Sequence, residues 1–260
     1  MSNVFTIVVV SWRNLQFLQL LIESIKNNSC WDHEIVVHLN EAQEYEREWV
    51  LGEGLKLTES ETNIGLSRAA NLAADKGTAQ WICPVDDDMY VLPRWDERLL
   101  DCFNRHQGRI WVSSTMIEPE GPSTSIIRDF GRSPDTFQEA QLLSFNAGLN
   151  CQSWYTNSAT PVLFERSQWD KIGGYDEHFP NVGAELGLAK RCWDILGFRH
   201  FISDSESRVY HFRSISMARL SSGNEGPSNR DQKFVSKYKI KAGKFRAQMR
   251  KNQLFQGAIE

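Results

Sequence analysis

The feature that most constrains the fold is an alternation of strand-like and helix-like segments over the first 85 residues. Phe5 to Ser11 (FTIVVVS) is a continuous β-branched apolar run, which is typical of a strand covered on both faces. Asn14 is a good cap for a helix whose apolar residues recur at helical spacing from Leu18 to Ile25. Further strands are predicted at Glu34–Leu39, Leu55–Thr58 and Trp81–Val85, and a helix at Ser67–Lys76 ending at Gly77. This order predicts an α/β protein with a doubly wound, Rossmann-like sheet.

The second half of the chain alternates less regularly. It contains a Pro, Gly and Ser-rich stretch, Glu118 to Asp135, that predicts a loop able to cover a site as a flap. The other predicted elements are strands at Ile110–Met116, Thr160–Glu165 and Arg208–Phe212, and a helix at Glu185–Leu196 ended by Gly197.

Composition excludes several classes of protein. The chain has 260 residues and a formal net charge of −4, which suits a globular enzyme and argues against a nucleic-acid binder. No apolar run is long enough to span a membrane, and the N-terminus has no signal-peptide pattern, so we expect a cytoplasmic location. The five cysteines include no C-x-x-C pair, which predicts reduced, structural thiols rather than a zinc site.

Three adjacent carboxylates, Asp86, Asp87 and Asp88, follow the fourth predicted strand. Doubly wound sheets bind ligands beyond the carboxyl ends of their strands, which is where these acids lie. Because adjacent carboxylates repel one another, the folded protein either leaves them in water or neutralises them with a cation. Hard oxygen ligands suit Mg²⁺ or Mn²⁺, and such a cation can clamp a diphosphate. The alternative is a solvated acidic turn before a helix near Pro93.

Four motifs in a fixed order resemble those of family 2 glycosyltransferases with the GT-A fold. They are ETNIGLSRAANLAA, WICPVDDDMYVLPRWDERL, WDKIGGYDEHF and SRVYHF, and the likeness covers most of residues 4–240. The resemblance implies a GT-A type fold, with a mostly parallel central sheet, helices on both faces and a smaller acceptor-side region. It also implies metal-dependent, inverting transfer of a sugar from a nucleoside diphosphate to an acceptor hydroxyl.

The resemblance assigns metal ligands by position. Asp86 and Asp88 match the Asp-x-Asp pair of such enzymes; Asp88 would bind the metal, Asp86 would face the ribose or the metal, and Asp87 between them can share either contact. His211 matches a histidine that in many relatives joins the metal shell or touches the diphosphate. Imidazole favours Mn²⁺ over Mg²⁺, so either ion is expected, with a tilt toward manganese.

The resemblance also marks residues for the nucleotide. Asn63, Gly65 and Arg68 match a segment that lies near the nucleotide in the family, and Asn63 is also a candidate helix cap. Relatives often place an aspartate after the second strand to hold the base, whereas this chain offers Asn40 and Glu41. These residues therefore do not identify the base of the nucleotide. A UDP-sugar is expected from the family resemblance alone.

The resemblance places the catalytic base at the start of a late helix. Glu185 matches an acidic position there, while Leu186 and Gly187 stand where further acids are expected. One carboxylate within reach of the attacking hydroxyl is enough for proton removal. A helix N-terminus, however, favours the charged form of Glu185 and would weaken it as a base. A degenerate, non-catalytic nucleotide-sugar-binding protein is the competing interpretation.

Four further residues are predicted to contact the acceptor. Gly174 and Tyr175 lie in a turn that resembles the support of the acceptor side, and Trp154 and Tyr155 are aromatic residues in an irregular stretch. The acceptor itself is expected to be a glycan, a lipid-linked glycan or another hydroxyl compound.

The C-terminal segment differs in charge from the rest of the chain. We predict a GT-A domain over residues 1–226, with a nucleotide-sugar half (1–117) and an acceptor half (118–226), and a basic tail over 227–260. Residues 230–251 contain nine basic side chains and one acid. They can contact an anionic surface, either the inner membrane surface or modified nucleic acid. The alternative is a solvated helix whose apolar residues pack on the body: Phe234, Tyr238, Phe245 and Met249.

Overall fold

The computed structural model describes residues 4–121, 125–155, 159–213 and 227–251. The first half alternates strands and helices in the order β1 (Phe5–Ser11), α1 (Leu15–Asn28), β2 (Glu34–Asn40), α2 (Glu44–Gly52), β3 (Lys56–Ser60), α3 (Leu66–Lys76) and β4 (Trp81–Asp86). The remainder contains β5 (Met89–Val91), α4 (Trp95–Arg105), β6 (Trp111–Glu118), β7 (Ile126–Ile127), a 3₁₀ turn (Pro134–Thr136), α5 (Glu139–Gly148), β8 (Trp154–Tyr155), β9 (Phe164–Glu165), α6 (Arg166–Ile172), α7 (Ala184–Arg191), a π-helical turn (Cys192–Leu196), β10 (Phe201–His211), α8 (Pro227–Tyr238) and α9 (Ala242–Lys251).

The first sheet has the predicted Rossmann-like arrangement. Its strand order is β3-β2-β1-β4-β9, and the first four strands are parallel while β9 pairs antiparallel with β4. Alternate residues of β1 point to opposite faces: Ile7 packs on the α1 and α4 side, and Val8 packs against α3. Helices therefore cover both faces, and the prediction of an α/β fold of this type is confirmed.

A second, mixed sheet carries the remaining long strands. Its order is β5-β10-β6-β7, with β8 also paired to β10. β5 returns antiparallel along β10, pairing Met89 with His211. Because β5 follows the three aspartates directly, this pairing brings His211 next to them. The second sheet thus places a residue from late in the chain at the carboxyl edge of the first.

Several predicted elements differ from the structure in extent. The last strand was expected at Arg208–Phe212 but spans Phe201–His211, because Phe201–Asp204 also pair with β6. The Ser113 and Thr115 hydroxyls of β6 donate to the backbone oxygens of Ile202 and Asp204. Thr160–Glu165 forms only the two residues of β9 and an isolated bridge at Val162. The helix expected over Glu185–Leu196 ends at Arg191 and continues as the π turn.

The α8–α9 pair packs on the body of the protein. Phe234, Phe245 and Met249 are fully buried in the core cluster that also holds Phe179 and Ala184. The last turn of α8 is tied down by Asp176, whose carboxylate accepts hydrogen bonds from the Lys237 ammonium and the Tyr238 hydroxyl. The predicted alternative of a helix packed on the body thus matches the described residues. Whether this segment also contacts an anionic surface stays a prediction.

We expect Phe234→Ala to lower the free energy of unfolding by about 3–5 kcal/mol, because the substitution leaves a large cavity in the core. Val235→Ala is the matched control, since Val235 lies next in the same helix and is 40% exposed. Urea denaturation of both variants measures the difference. Equal stability of the two would mean that α8 does not pack on the body as described.

Candidate active site

A cavity of about 640 Å³ opens at the carboxyl edge of the first sheet. The register of the sheet aligns the ends of three parallel strands there: Val10 pairs with both His38 and Asp86, so Ser11, Asn40 and Asp86 end close together. Of the residues predicted for the site, those that line this cavity are Asn40, Asn63, Asp86, Asp87, Asp88, Tyr175, Glu185 and His211. Residues predicted for the nucleotide, the metal, catalysis and the acceptor thus meet in one cavity.

The three aspartates are held inside the protein rather than in a solvated turn. Asp87 and Asp88 are each 8% exposed. The Ser11 hydroxyl donates to Asp87 at 2.7 Å, and the Thr160 hydroxyl donates to Asp86 at 2.8 Å. Burial, and then the charge of Asp88, raise the pKa of Asp87 to about 8. The two buried carboxylates and the partly buried Asp86 repel one another, so a neighbouring positive charge stabilises them.

Positive charge comes partly from His211. Its Nε2 lies 3.4 Å from Asp88 Oδ1, and its Nδ1 lies 2.7 Å from Glu118 Oε1. Although burial lowers the pKa of His211, Asp88 and Glu118 outweigh it and raise the pKa to about 10. Ligand atoms of Asp86, Asp88 and His211 lie within 4.8 Å of one another. Two carboxylate oxygens and one imidazole nitrogen at this spacing fit a divalent cation such as Mn²⁺. Such a cation would take the place of the Nε2 proton, because only a deprotonated ring nitrogen can be a ligand, and Glu118 would keep orienting the imidazole through Nδ1.

Glu185 lies in the first turn of α7 and faces the same cavity. Burial, and then the charge of Asp86, raise the pKa of Glu185 from the ordinary 4.5 to about 7. This differs from the expectation that the helix N-terminus would hold Glu185 in its charged form. The low dielectric of the cavity and the nearby carboxylate outweigh the helix dipole, and a pKa near neutrality suits a general base.

The segment that begins at Asn63, predicted to lie near the nucleotide, has a different hydrogen-bond pattern from the predicted helix cap. Asn63 accepts a hydrogen bond from Gly65 N at 2.9 Å and does not cap α3; the first amide of that helix donates instead to the side chain of Asn181. Asn40 accepts from Ile64 N at 3.0 Å, which fixes the loop before α3. Glycine at position 65 is required by Pro180, because an added Cβ would lie 2.9 Å from that residue and the backbone has φ +85° and ψ 164°.

We expect Gly65→Ala to lower the free energy of unfolding by about 1–3 kcal/mol, because this backbone conformation is essentially restricted to glycine. Gly52→Ala is the control, since an added Cβ there meets nothing within 4 Å and φ is not positive. Thermal or urea unfolding compares the two. If Gly65→Ala were as stable as the control, the tight contact with Pro180 would be wrong.

Arg68 and Gly174 are not among the residues that line the cavity, and Trp154 and Tyr155 are described only by their backbone. Arg68 points outward from α3 and is exposed. Gly174 packs against α3, where an added Cβ would lie 2.3 Å from Asn71 Oδ1. The backbone of Trp154 and Tyr155 forms β8, paired with β10 at Ser203 and Ile202, and their side chains lie outside the described residues. The roles proposed for these four residues stay predictions.

Several residues of the cavity carry no local sequence signal. Trp12 follows β1, lines the cavity and donates from Nε1 to Glu41 at 2.9 Å, so Glu41 is engaged outside the nucleotide cavity. Arg230 of α8 and Arg246 of α9 also line it. They belong to the basic segment that was expected to face an external surface. Only the packing of α8 and α9 on the body brings them here.

Within residues 4–121, 125–155, 159–213 and 227–251, no helix has the length and apolar character needed to cross a bilayer. The cysteines of the described chain, Cys30, Cys83, Cys102, Cys151 and Cys192, are all unpaired.

The fold and the acidic cavity at its carboxyl edge define a GT-A type α/β protein, and solved structures share this architecture. A crystal structure of S. aureus TarS is 12% identical with a TM-score of 0.58, covering 90% of this chain and 42% of its own. GalNAc-T7 with UDP, GalNAc and Mn²⁺ is 17% identical with a TM-score of 0.61, covering 81% of this chain and 44% of its own. S. aureus TarS 1–349 in complex with UDP is 12% identical with a TM-score of 0.58, covering 90% and 70%. At these identities the likeness shows the fold.

Family membership follows from the sequence. The profile of glycosyl transferase family 2 matches residues 6–157, more than half of the chain, and the chain belongs to this family. The protein spans less than half the length of the first two structures that it resembles. No curated protein has a sequence that matches it.

Proposed function

We propose that the protein is a metal-dependent, inverting glycosyltransferase that moves a sugar from a nucleoside diphosphate to an acceptor hydroxyl, with Glu185 as the base. The observation that carries the proposal is the convergence in one cavity of a cation-binding set (Asp86, Asp88 and His211) and a carboxyl group with a pKa near 7. Family membership and fold relatives solved with UDP, one of them also with GalNAc and Mn²⁺, support a nucleotide-sugar donor. A UDP-sugar is the first donor to test.

The donor side of the cavity is formed by residues already held in place. Asp86 is oriented by Thr160 and His211 by Glu118, so both present a fixed atom toward Asp88. A divalent cation bound by these three residues supplies the positive charge that stabilises a diphosphate leaving group. Asn40 and Asn63 line the part of the cavity beyond β2, where we place the nucleoside.

Glu185 removes the proton of the acceptor. As the acceptor oxygen bonds to the anomeric carbon, the bond from that carbon to the diphosphate breaks, and the hydroxyl proton passes to the Glu185 carboxylate. Attack from the face opposite the diphosphate inverts the configuration. Leu186 and Val182 contribute apolar side chains to the cavity wall next to Glu185.

The direct test is release of nucleoside diphosphate from a panel of UDP, GDP, CDP, ADP and dTDP sugars, with Mn²⁺ and with EDTA. We expect slow release from one nucleotide family, with water as a poor acceptor, and none with EDTA. The proposal would be rejected if no sugar nucleotide were turned over under any condition and none bound.

The alternative of a degenerate, non-catalytic protein rests on the missing acids at positions 186 and 187, and the structure places these two positions differently. Gly187 faces the body of the protein, where an added Cβ would lie 2.8 Å from Phe179 Cδ2, so an acid at that position would not reach the cavity. Leu186 lines the cavity, so at this position the chain lacks an acid that the family resemblance leads one to expect. This interpretation predicts nucleotide binding without turnover with any acceptor.

A further inference from the structure

The α8–α9 pair contributes two arginines to the lining of the candidate active site. Arg230, in the first half of α8, and Arg246, in the middle of α9, both line the cavity. The pair is anchored by the buried Phe234 and Phe245 and by the hydrogen bonds of Lys237 to Asp176. These arginines are therefore held at the cavity by the packing of the protein.

The two arginines lie on the Glu185 side of the cavity. The side chain of Arg230 packs against Gly183, which begins the helix that carries Glu185, at 2.9 Å from the position of an added Cβ. Arg246 is near enough to Glu185 for its charge to oppose the rise in the pKa of that carboxyl, which burial and Asp86 cause. A different arginine, Arg213, lies near the cluster of Asp86, Asp88 and His211. Its Nη1 is 3.8 Å from Oε1 of Glu118, the residue that orients His211.

The charge balance around Arg246 favours an anion. Its Nε is buried and has no hydrogen-bond partner within the described chain. Burial, and then the charge of Arg230, lower the pKa of Arg246 and outweigh the nearby carboxylates of Asp231 and Glu185. Arg230 contacts Asp231 at 3.2 Å, an acid that is about half exposed. Buried guanidinium groups are costly unless they are paired, and their planar forks match the oxygens of phosphate and carboxylate groups.

We propose that Arg230 and Arg246 bind an oxyanion group of the acceptor, so that the acceptor substrate is a phosphorylated or carboxylated hydroxyl compound. The inference rests on the proposed function, because it takes Glu185 as the group that meets the acceptor hydroxyl. An anion held by Arg246 lies on the side of the cavity where the base acts and so positions the hydroxyl. The outer lysines of the same helices, such as Lys244, take no part.

Ligand binding with defined probes tests the proposal. We would titrate wild-type protein, loaded with UDP and Mn²⁺, with glucose 6-phosphate, glucuronate, inorganic phosphate and glucose by calorimetry, and repeat the titrations without nucleotide. Glucose 6-phosphate is expected to bind at least 10-fold more tightly than glucose. Arg246→Gln is expected to weaken this binding about 10-fold and the Arg230→Gln/Arg246→Gln double variant about 100-fold, with UDP affinity changed less than 3-fold.

The controls separate folding, charge and site. Lys244→Gln removes one positive charge from α9 at an exposed position and is expected to leave the affinity for glucose 6-phosphate unchanged. Arg246→Lys keeps the charge and is expected to recover part of the loss, while melting temperatures identify any variant that does not fold.

Two outcomes would overturn the proposal in different ways. Loss of UDP affinity in the double variant would assign the arginines to the donor diphosphate. Equal binding of glucose and its phosphate to wild-type protein that binds UDP would leave the donor site intact and remove the anion from the acceptor. Failure of every nucleotide to bind, with phosphate still bound at the arginines, would instead reject the proposed function on which the acceptor role rests.

Discussion

Asp88→Asn is expected to lower kcat by about 1,000-fold or more and to abolish the dependence of nucleotide diphosphate binding on a divalent cation. Asp88 is the carboxylate that faces His211 within the cluster, and an amide oxygen is a weaker, uncharged ligand. Loss of one cation ligand removes several kcal/mol of charge stabilisation on the leaving group. Calorimetry with UDP, with and without Mn²⁺, and donor turnover measure the two effects.

The control for this substitution is Asp101→Asn, the same chemical change on the exposed surface of α4. It is expected to keep wild-type turnover and metal dependence. An Asp88→Asn variant that turned over the donor at more than a tenth of the wild-type rate would remove the cation clamp from the mechanism.

Glu185→Gln is expected to lower kcat by about 100- to 10,000-fold while leaving donor affinity unchanged, because the variant loses the proton acceptor but no donor contact. Glu48→Gln, on the exposed face of α2, is the control and should behave as wild type. Single-turnover rates at saturating donor, together with donor titrations, separate the two quantities. A Glu185→Gln variant with unimpaired transfer would assign the base to another residue.

The pH profile gives an independent test of Glu185. The base acts only when deprotonated, so activity should rise with pH up to about 7 and then level off. The free energy of unfolding should change with pH in the opposite direction to activity. A carboxyl pKa raised from 4.5 to about 7 means that the folded protein binds the proton more tightly than the unfolded chain does. The contribution of Glu185 to the free energy of unfolding therefore falls as pH rises from about 4.5 to about 7. Glu185→Gln should remove this part of the pH dependence.

The first half of the fold could be predicted because its signals are local. The continuous apolar run of β1 gave its bounds, Phe5–Ser11, without error. β5 was missed because three residues between the aspartates and Pro93 carry too little pattern, and their strand character depends on pairing with β10. Much of β10 was missed because its stretch SDSES is polar. Ser203 and Asp204 pair with β6, and the register then shifts in a bulge between Asp204 and Arg208.

The site was predictable where its residues are adjacent in sequence. The three aspartates are recognisable as a cluster, and Glu185 and His211 came from the resemblance to a known family. Thr160 and Glu118, which orient Asp86 and His211, gave no signal, because each acts through a contact about 75 or more residues away in the chain. Arg230 and Arg246 were noted for their charge, but their direction into the cavity depends on how α8 and α9 pack.

The principal proposal is that the cavity binds a nucleoside diphosphate together with a divalent cation. Its most direct test is the thermal stability of the purified protein with UDP, GDP, CDP, ADP or dTDP, each with Mn²⁺, Mg²⁺ or EDTA. We expect one nucleotide, UDP by family precedent, to raise the melting temperature with Mn²⁺ and, to a smaller extent, with Mg²⁺, and we expect EDTA to abolish the shift. A melting temperature unchanged by every nucleotide and metal would contradict it.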